Sequence, residues 1–399
     1  MIPIAIHAEP PPDAVAAAAR LRPPALVAPD PRGASFGSVT GRVFAGTTTV
    51  RVVVDGVPLA SRAVAGPGRF SFAVDLPPRD VRVRVVARDA EGNKASASVA
   101  PVYGLPRAGR PTGRIPSIQD GTLARRLRSL ARAFPGTAAV YVQDLRTGRG
   151  AAWNAAARFP AASTLKLAIA LEVLRRERAR PGPGSSLDGL LRSMLVHSDN
   201  ASANALLVRL GGSTSGGAGH VNALMRALGA RSSLMYGGYE VLTAAAARPI
   251  PVRVNEQPAI GIGKFTTAYD LARLHRALHL AARGRGPLAR VDGSFTRRDA
   301  RYLLWVLARV ADHGKLDRYL PGSVSVLHKA GWIRQARHDA GLVYWRGGAF
   351  VVAVMTWNAR GVGRSSDVLA GRTARAALER FRALRREAPE GANAAAGTA

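Results

Sequence analysis

Ser163 and Lys166 stand three residues apart in "FPAASTLKLAIALEVL", residues 159–174. On a helix that spacing puts both side chains on one face. Lysine is scarce in this chain. Of 57 Lys+Arg only five are lysine: Lys94, Lys166, Lys264, Lys315 and Lys329. A lysine set in an apolar helix loses its proton more readily than a solvated one. The neutral amine can then take the proton of a serine hydroxyl and leave a nucleophilic oxygen. Arginine cannot, because its pKa is too high.

Two further stretches carry candidate groups. "MLVHSDNASANALL" sets Ser198, Asp199 and Asn200 just before a helix. All three residue types cap helices, so taken alone the triplet reads first as a cap. In "VLHKAGWI" Lys329 ends a strand and is followed by Ala330 and Gly331. That small pair lets a substrate lie against the strand edge.

In this order and in these settings the three stretches resemble the Ser-x-x-Lys, Ser-Asp-Asn and Lys-Thr-Gly set of penicillin-recognising serine enzymes. These are the class A β-lactamases and the penicillin-binding proteins. "FPAASTLKL", "HSDNASANALL", "RHDAGLVYW" and "FTTAYDLARL" carry the likeness to the class A side, over residues 117–386. The resemblance implies a serine hydrolase that cleaves β-lactam amide bonds and needs no cofactor or metal. It implies Ser163 as the acylated nucleophile, Lys166 as its base or proton relay, and Ser198 as proton donor to the leaving nitrogen. Asn200 would bind the acyl-amide side chain. Lys329 would supply positive charge for the relay and the substrate carboxylate, with Ala330 and Gly331 beside it. The backbone N–H groups of Ser163 and Trp332 would form an oxyanion hole.

Three features depart from the family pattern. Ala330 lacks the hydroxyl that normally contacts the substrate carboxylate. Ser163 and Ser198 are closer in sequence than is usual. The Glu-x-x-Leu-Asn signature, whose glutamate activates the deacylating water, is missing. Between Asp199 and Asp270 the only carboxylates are Glu240 and Glu256, and Glu240 is the better placed. Two other functions stay open. One is a D,D-peptidase-like enzyme acting on peptidoglycan; the other is a catalytically weak protein that binds the cell wall or β-lactams.

Regular elements must position these groups. Leu123, Leu127, Leu130 and Phe134 form one stripe of an amphipathic helix. A hairpin follows over residues 137–155. Residues 163–282 read as mostly helical, with Gly-rich breaks such as "LGGSTSGGAGH". "VSVLHKAGW", "HDAGLVYWR" and "AFVVAVMTW" read as strands, and "RTARAALERFRALRREA" as a closing helix. The plan is α+β: one antiparallel sheet, fed from both ends of the sequence, beside a helical lobe. Its resemblance is to the β-lactamase/transpeptidase-like fold. Ahead of it, Val81, Val83, Val85 and Ala87 alternate with Arg82, Arg84, Val86 and Arg88. Several such short runs predict a small all-β sandwich, similar to bacterial Ig-like domains. The expected layout is a disordered leader at 1–34, an Ig-like sandwich at 35–103 and a linker at 104–116. The hydrolase domain then spans 117–386 and a disordered tail 387–399. The first residues could be the remnant of a signal peptide.

Composition bounds the rest. At 47% hydrophobic the chain is globular, and with no cysteine it has neither disulfide nor thiolate chemistry. The formal charge of +31 would suit an anionic cell-wall polymer. The arginines are scattered, with no compact basic run interleaved with aromatics, so no nucleic-acid partner is expected. A monomer is expected, acting outside the cytoplasm of a bacterium, on a small β-lactam or a peptidoglycan peptide.

Overall fold

The strand Thr137–Asp144 alternates Val140 and Val142 with Ala139 and Tyr141, and both sets are buried. Such a strand belongs inside a sheet covered on both faces. The computed structural model describes residues 21–110, 117–177, 181–240, 263–292 and 294–387. In it this strand lies within a six-stranded sheet. The order is Ser325–Ile333, Ala336–Trp345, Gly348–Trp357, Thr137–Asp144, Arg149–Trp153, Ile118–Gln119. All neighbours are antiparallel except the last pair, in which Arg149 faces Ile118 in parallel. Two-residue turns join the three C-terminal strands, with Ile333 opposite Ala336 and Trp345 opposite Gly348.

One face of the sheet sets Val140, Val142, Phe350, Val352 and Val354 against the helices Gly121–Arg132 and Arg364–Glu387. The other sets Ala139, Tyr141, Val351, Ala353 and Met355 against the helical lobe. The lobe is built round Lys166–Arg176, buried from Lys166 to Leu174. A helix covered on all sides belongs at a centre. Ser186–Val196, Asn200–Gly211 and Thr214–Ala227 pack on it, and Ala268–Ala281 lies on the sheet. The expected α+β plan is therefore present, with a short parallel edge added.

Four expectations are corrected. The break at "LGGSTSGGAGH" is only Gly212 and Ser213, and Ser213 caps the next helix by accepting from the Gly216 N–H at 2.9 Å. Gly211, Gly216 and Gly217 make a close helix crossing: a Cβ on Gly217 would lie 2.1 Å from the Leu207 carbonyl oxygen. The closing helix begins at Arg364, ahead of the expected Arg372. Part of the leader is folded. Ala25–Ala28 is a strand paired with Ser38–Val43, and Gly33–Ser35 pairs with Val102, Tyr103 and Gly104. Part of the linker is folded too, since Leu105 is fully buried. Ala34, Phe36 and Leu105 join the core of the helical lobe, which a Pro-rich composition conceals. Residues 1–20, 111–116 and 388–399 lie outside the described residues, with the expectations that fall there.

The N-terminal third forms a three-stranded and a five-stranded sheet. Within Asp80–Arg88, Val81, Val83, Val85 and Ala87 are buried while Arg82, Arg84 and Arg88 are exposed, as the alternation predicts. Asp55 and Gly56 have φ of 48° and 88°, the left-handed backbone that a two-residue hairpin turn demands. The chain divides into two compact units. The first gathers Val39–Phe72 and Val83–Ser98 with the described residues before Pro29; the second holds Pro29–Ser38, Ala73–Arg82 and the chain from Val99 onward. The expected boundaries at 35–103 and 117–386 do not coincide with this division. Among the described residues no helix is long and apolar enough to cross a membrane.

Candidate active site

A 3-10 turn, Ala162–Leu165, leads into the helix Lys166–Arg176. Side chains three apart eclipse in such a turn, so Ser163 and Lys166 share one side of the helix start. Ala162 has φ 47°, a conformation that costs about 1–2 kcal/mol for an L-residue. Neighbours hold it there. The Ala161 N–H donates to the Lys264 carbonyl at 2.9 Å, and Thr164 Oγ1 donates to the Ala161 carbonyl at 2.6 Å.

Lys166 is fully buried. Its Nζ donates to the Ser198 carbonyl and to Asn200 Oδ1 at 2.6 Å, and lies 3.5 Å from Ser198 Oγ. Burial above all, then the Lys329 ammonium, pushes its pKa down to about 7; Lys264 adds to this, while Asp199 and Glu240 pull it up. Ser198, at φ 61°, also accepts from Lys329 Nζ at 3.0 Å. Its hydroxyl thus stands between two ammonium groups. Of the Ser-Asp-Asn triplet only Asp199 takes the cap, accepting from the Ser202 N–H at 2.6 Å. Ser198 and Asn200 turn to Lys166.

Lys329 is not at the strand end, as expected, but inside Ser325–Ile333. Burial pushes its pKa down to about 8, helped by Lys315 and opposed by Asp312 and Asp339. Ala330 is buried and pairs across the strands with Asp339. Gly331 faces the nucleophile: a Cβ there would lie 2.6 Å from the Ser163 nitrogen. Only glycine leaves that N–H open, which the oxyanion-hole expectation requires. Trp332 follows at 64% exposure on the rim. Glu240 is exposed, at φ 55°, and accepts from Asn200 Nδ2 at 2.7 Å. The Asn200 amide therefore bridges Lys166 and Glu240. Glu256 lies outside the described residues.

Ser163, Ser198, Asn200, Glu240, Ala330, Gly331 and Trp332 open on one cleft of about 1120 Å³, which Tyr239, Lys264 and Asp312 also line. Sequence reasoning assigned no role to those three. Lys264 carried a signal, being one of five lysines in an arginine-rich chain; Tyr239 carried none. Two asparagines position the segment that bears Tyr239 and Glu240. Asn204 accepts from the Tyr239 N–H at 2.7 Å and donates to its carbonyl at 2.8 Å. Asn222 does the same to Met235, at 2.7 and 2.8 Å.

A family model described as "Beta-lactamase enzyme family" matches residues 122–182 and 177–381. No curated protein sequence matches the chain. Among solved structures, PBP-A is similar at 20% identity and a TM-score of 0.53, covering 67% of this chain and 98% of that one. A variant of PBP-A was solved as its acyl-enzyme complex with penicillin G. The beta-lactamase of Sphaerobacter thermophilus is similar at 22% identity and a TM-score of 0.51, covering 66% and 98%. That of Streptomyces albus G is similar at 23% identity and 0.51, covering 65% and 99%. These likenesses establish the α+β fold.

Proposed function

The chain belongs to the beta-lactamase enzyme family, and we propose that this serine hydrolase is acylated on Ser163 by β-lactams and releases the acyl group slowly. One observation carries the reading: the Ser198 hydroxyl lies between Lys166 and Lys329, at 3.5 and 3.0 Å, on the cleft that holds Ser163. Lys166 is the amine able to be neutral near pH 7. It takes the Ser163 proton as Oγ attacks the lactam carbonyl. The C–N bond then breaks, and the nitrogen takes the Ser198 proton, which the lysines replace. The Ser163 and Trp332 N–H groups hold the oxyanion, and Asn200 with Lys329, Ala330 and Gly331 seats the substrate.

Release needs a water aimed at the ester. Glu240 is the candidate base, but it meets Lys166 only through the Asn200 amide. General-base help is worth ~10²–10⁴-fold, so an indirect base means slow release. The same observation favours a second reading, a D,D-peptidase-like enzyme on peptidoglycan, whose acyl-enzyme would form from a D-Ala-D-Ala peptide. Export from the bacterial cytoplasm suits both, with the N-terminal strands taken as an Ig-like spacer.

Intact-protein mass spectrometry over time tests this. Penicillin should add to the wild type and not to Ser163→Ala, and Glu240→Gln should prolong the adduct. Fast turnover indifferent to Glu240→Gln would remove Glu240 from the mechanism. An adduct from the peptide alone would favour the peptidase. No adduct from either would point to a binding protein.

A further inference from the structure

Two ammonium groups lie on one aromatic ring. Lys166 Nζ is 4.5 Å and Lys264 Nζ 4.7 Å from the centroid of Tyr239. Tyr239 is 7% exposed, and among the described residues its hydroxyl has no hydrogen-bond partner. A buried hydroxyl without a partner is destabilising, so the ring is the part of the side chain that makes contacts. Its backbone is fixed by both arms of the Asn204 amide, at 2.7 and 2.8 Å. A π face attracts cations within about 6 Å, more strongly where water is excluded. The same ring is apolar, so it keeps water from the amine it holds.

We propose that Tyr239 is the positioning residue for the Lys166 amine: its ring is a dry wall, shared with Lys264, that sets the amine against Ser198 and Asn200. Its meaning for catalysis rests on Lys166 acting as base; its test does not. The charged groups that face Lys166 are Lys329 from Ser325–Ile333, Asp199 at the cap of Asn200–Gly211, Glu240 beside the ring, and Lys264 ahead of Phe265–Thr266. Two cations and two carboxylates oppose one another. Dryness then decides, and burial is the first cause of the lowered pKa of both ring-bound lysines.

With five lysines in the chain, an NMR titration of the lysine Cε groups in the full-length protein reads each amine without any substrate. Tyr239→Phe should leave Lys166 and Lys264 titrating as in the wild type. Tyr239→Leu admits water, and both should titrate about one unit higher, tenfold in proton affinity. A ring-fluorinated phenylalanine in place of Tyr239 keeps the ring's bulk but weakens its π face, and both lysines should titrate lower. Packing alone does not give opposite signs. The proposal is overturned if Tyr239→Phe shifts Lys166 as far as Tyr239→Leu does, if only one lysine moves, or if neither moves. Should the leucine variant not fold, the sign with the fluorinated ring decides. Failure of the hydrolase reading is separate, as it would appear as no adduct on wild-type Ser163.

Discussion

Two buried lysines share the Ser198 hydroxyl, and the proposed mechanism asks one to be neutral and the other charged. Lys166 must be neutral to accept a proton, with a pKa of about 7. Lys329 must stay charged to hold a carboxylate, with a pKa of about 8. Acylation should therefore rise with pH through about 7, as Lys166 loses its proton, and fall through about 8, as Lys329 loses its charge. Lys329→Arg keeps its charge at any ordinary pH. That variant should lose the alkaline fall, at a lower maximum because a guanidinium is broader. Stopped-flow acylation with a chromogenic cephalosporin from pH 5 to 10 checks this; an alkaline limb unchanged in the arginine variant would sink it. The sequence exposed both lysines because arginine surrounds them. It could not expose Tyr239. An aromatic in a Gly-rich stretch has no periodicity, and its partners Lys166 and Asn204 are distant in the chain.

At the scale of elements, the stretch from Met235 to Tyr239 has no helix or strand of its own. It is tied to two neighbouring helices by Asn222 and Asn204, each accepting one hydrogen bond from a backbone N–H and donating one to a carbonyl. Losing such a pair should destabilise the fold by about 1–3 kcal/mol. Asn204→Ala and Asn222→Ala should therefore lower the urea midpoint alike. Only Asn204 holds the residues that touch Asn200 and Lys166, so only Asn204→Ala should also slow acylation, by about tenfold. Equal slowing in both variants would refute that assignment. Alternation and stripes made the strands and the first helix readable from sequence. Glycines did not read correctly, because composition cannot tell a loop glycine from one where two helix backbones touch.

At the scale of the molecule, a linker at 104–116 would let a chain starting near Ile115 fold alone. The core argues otherwise. Ala34, Phe36 and Leu105 belong to it, and Arg32 pairs with the buried Asp188. Removing a phenylalanine and a leucine from a core costs roughly 5 kcal/mol or more. A chain cut at Ile115 should thus melt roughly 10–20 °C lower than the full chain. Circular dichroism of both would decide it, and equal melting temperatures would vindicate the shorter domain. Pro-rich composition hid these contacts, since each is made by a short apolar segment to residues far along the chain.

The sheet adds a consequence in time. Thr137–Asp144 pairs along its length with Gly348–Trp357, Gln143 opposite Val351. During synthesis the earlier strand leaves the ribosome long before the later one exists. Its inner edge has no partner until Gly348–Trp357 is made, and pairings so far apart in sequence form slowly. The nascent chain therefore stays without its central sheet until that strand emerges. For a protein that must thread unfolded through a secretion channel, late folding is an advantage; for one overproduced in a confined cell, the same delay leaves a sticky strand edge waiting.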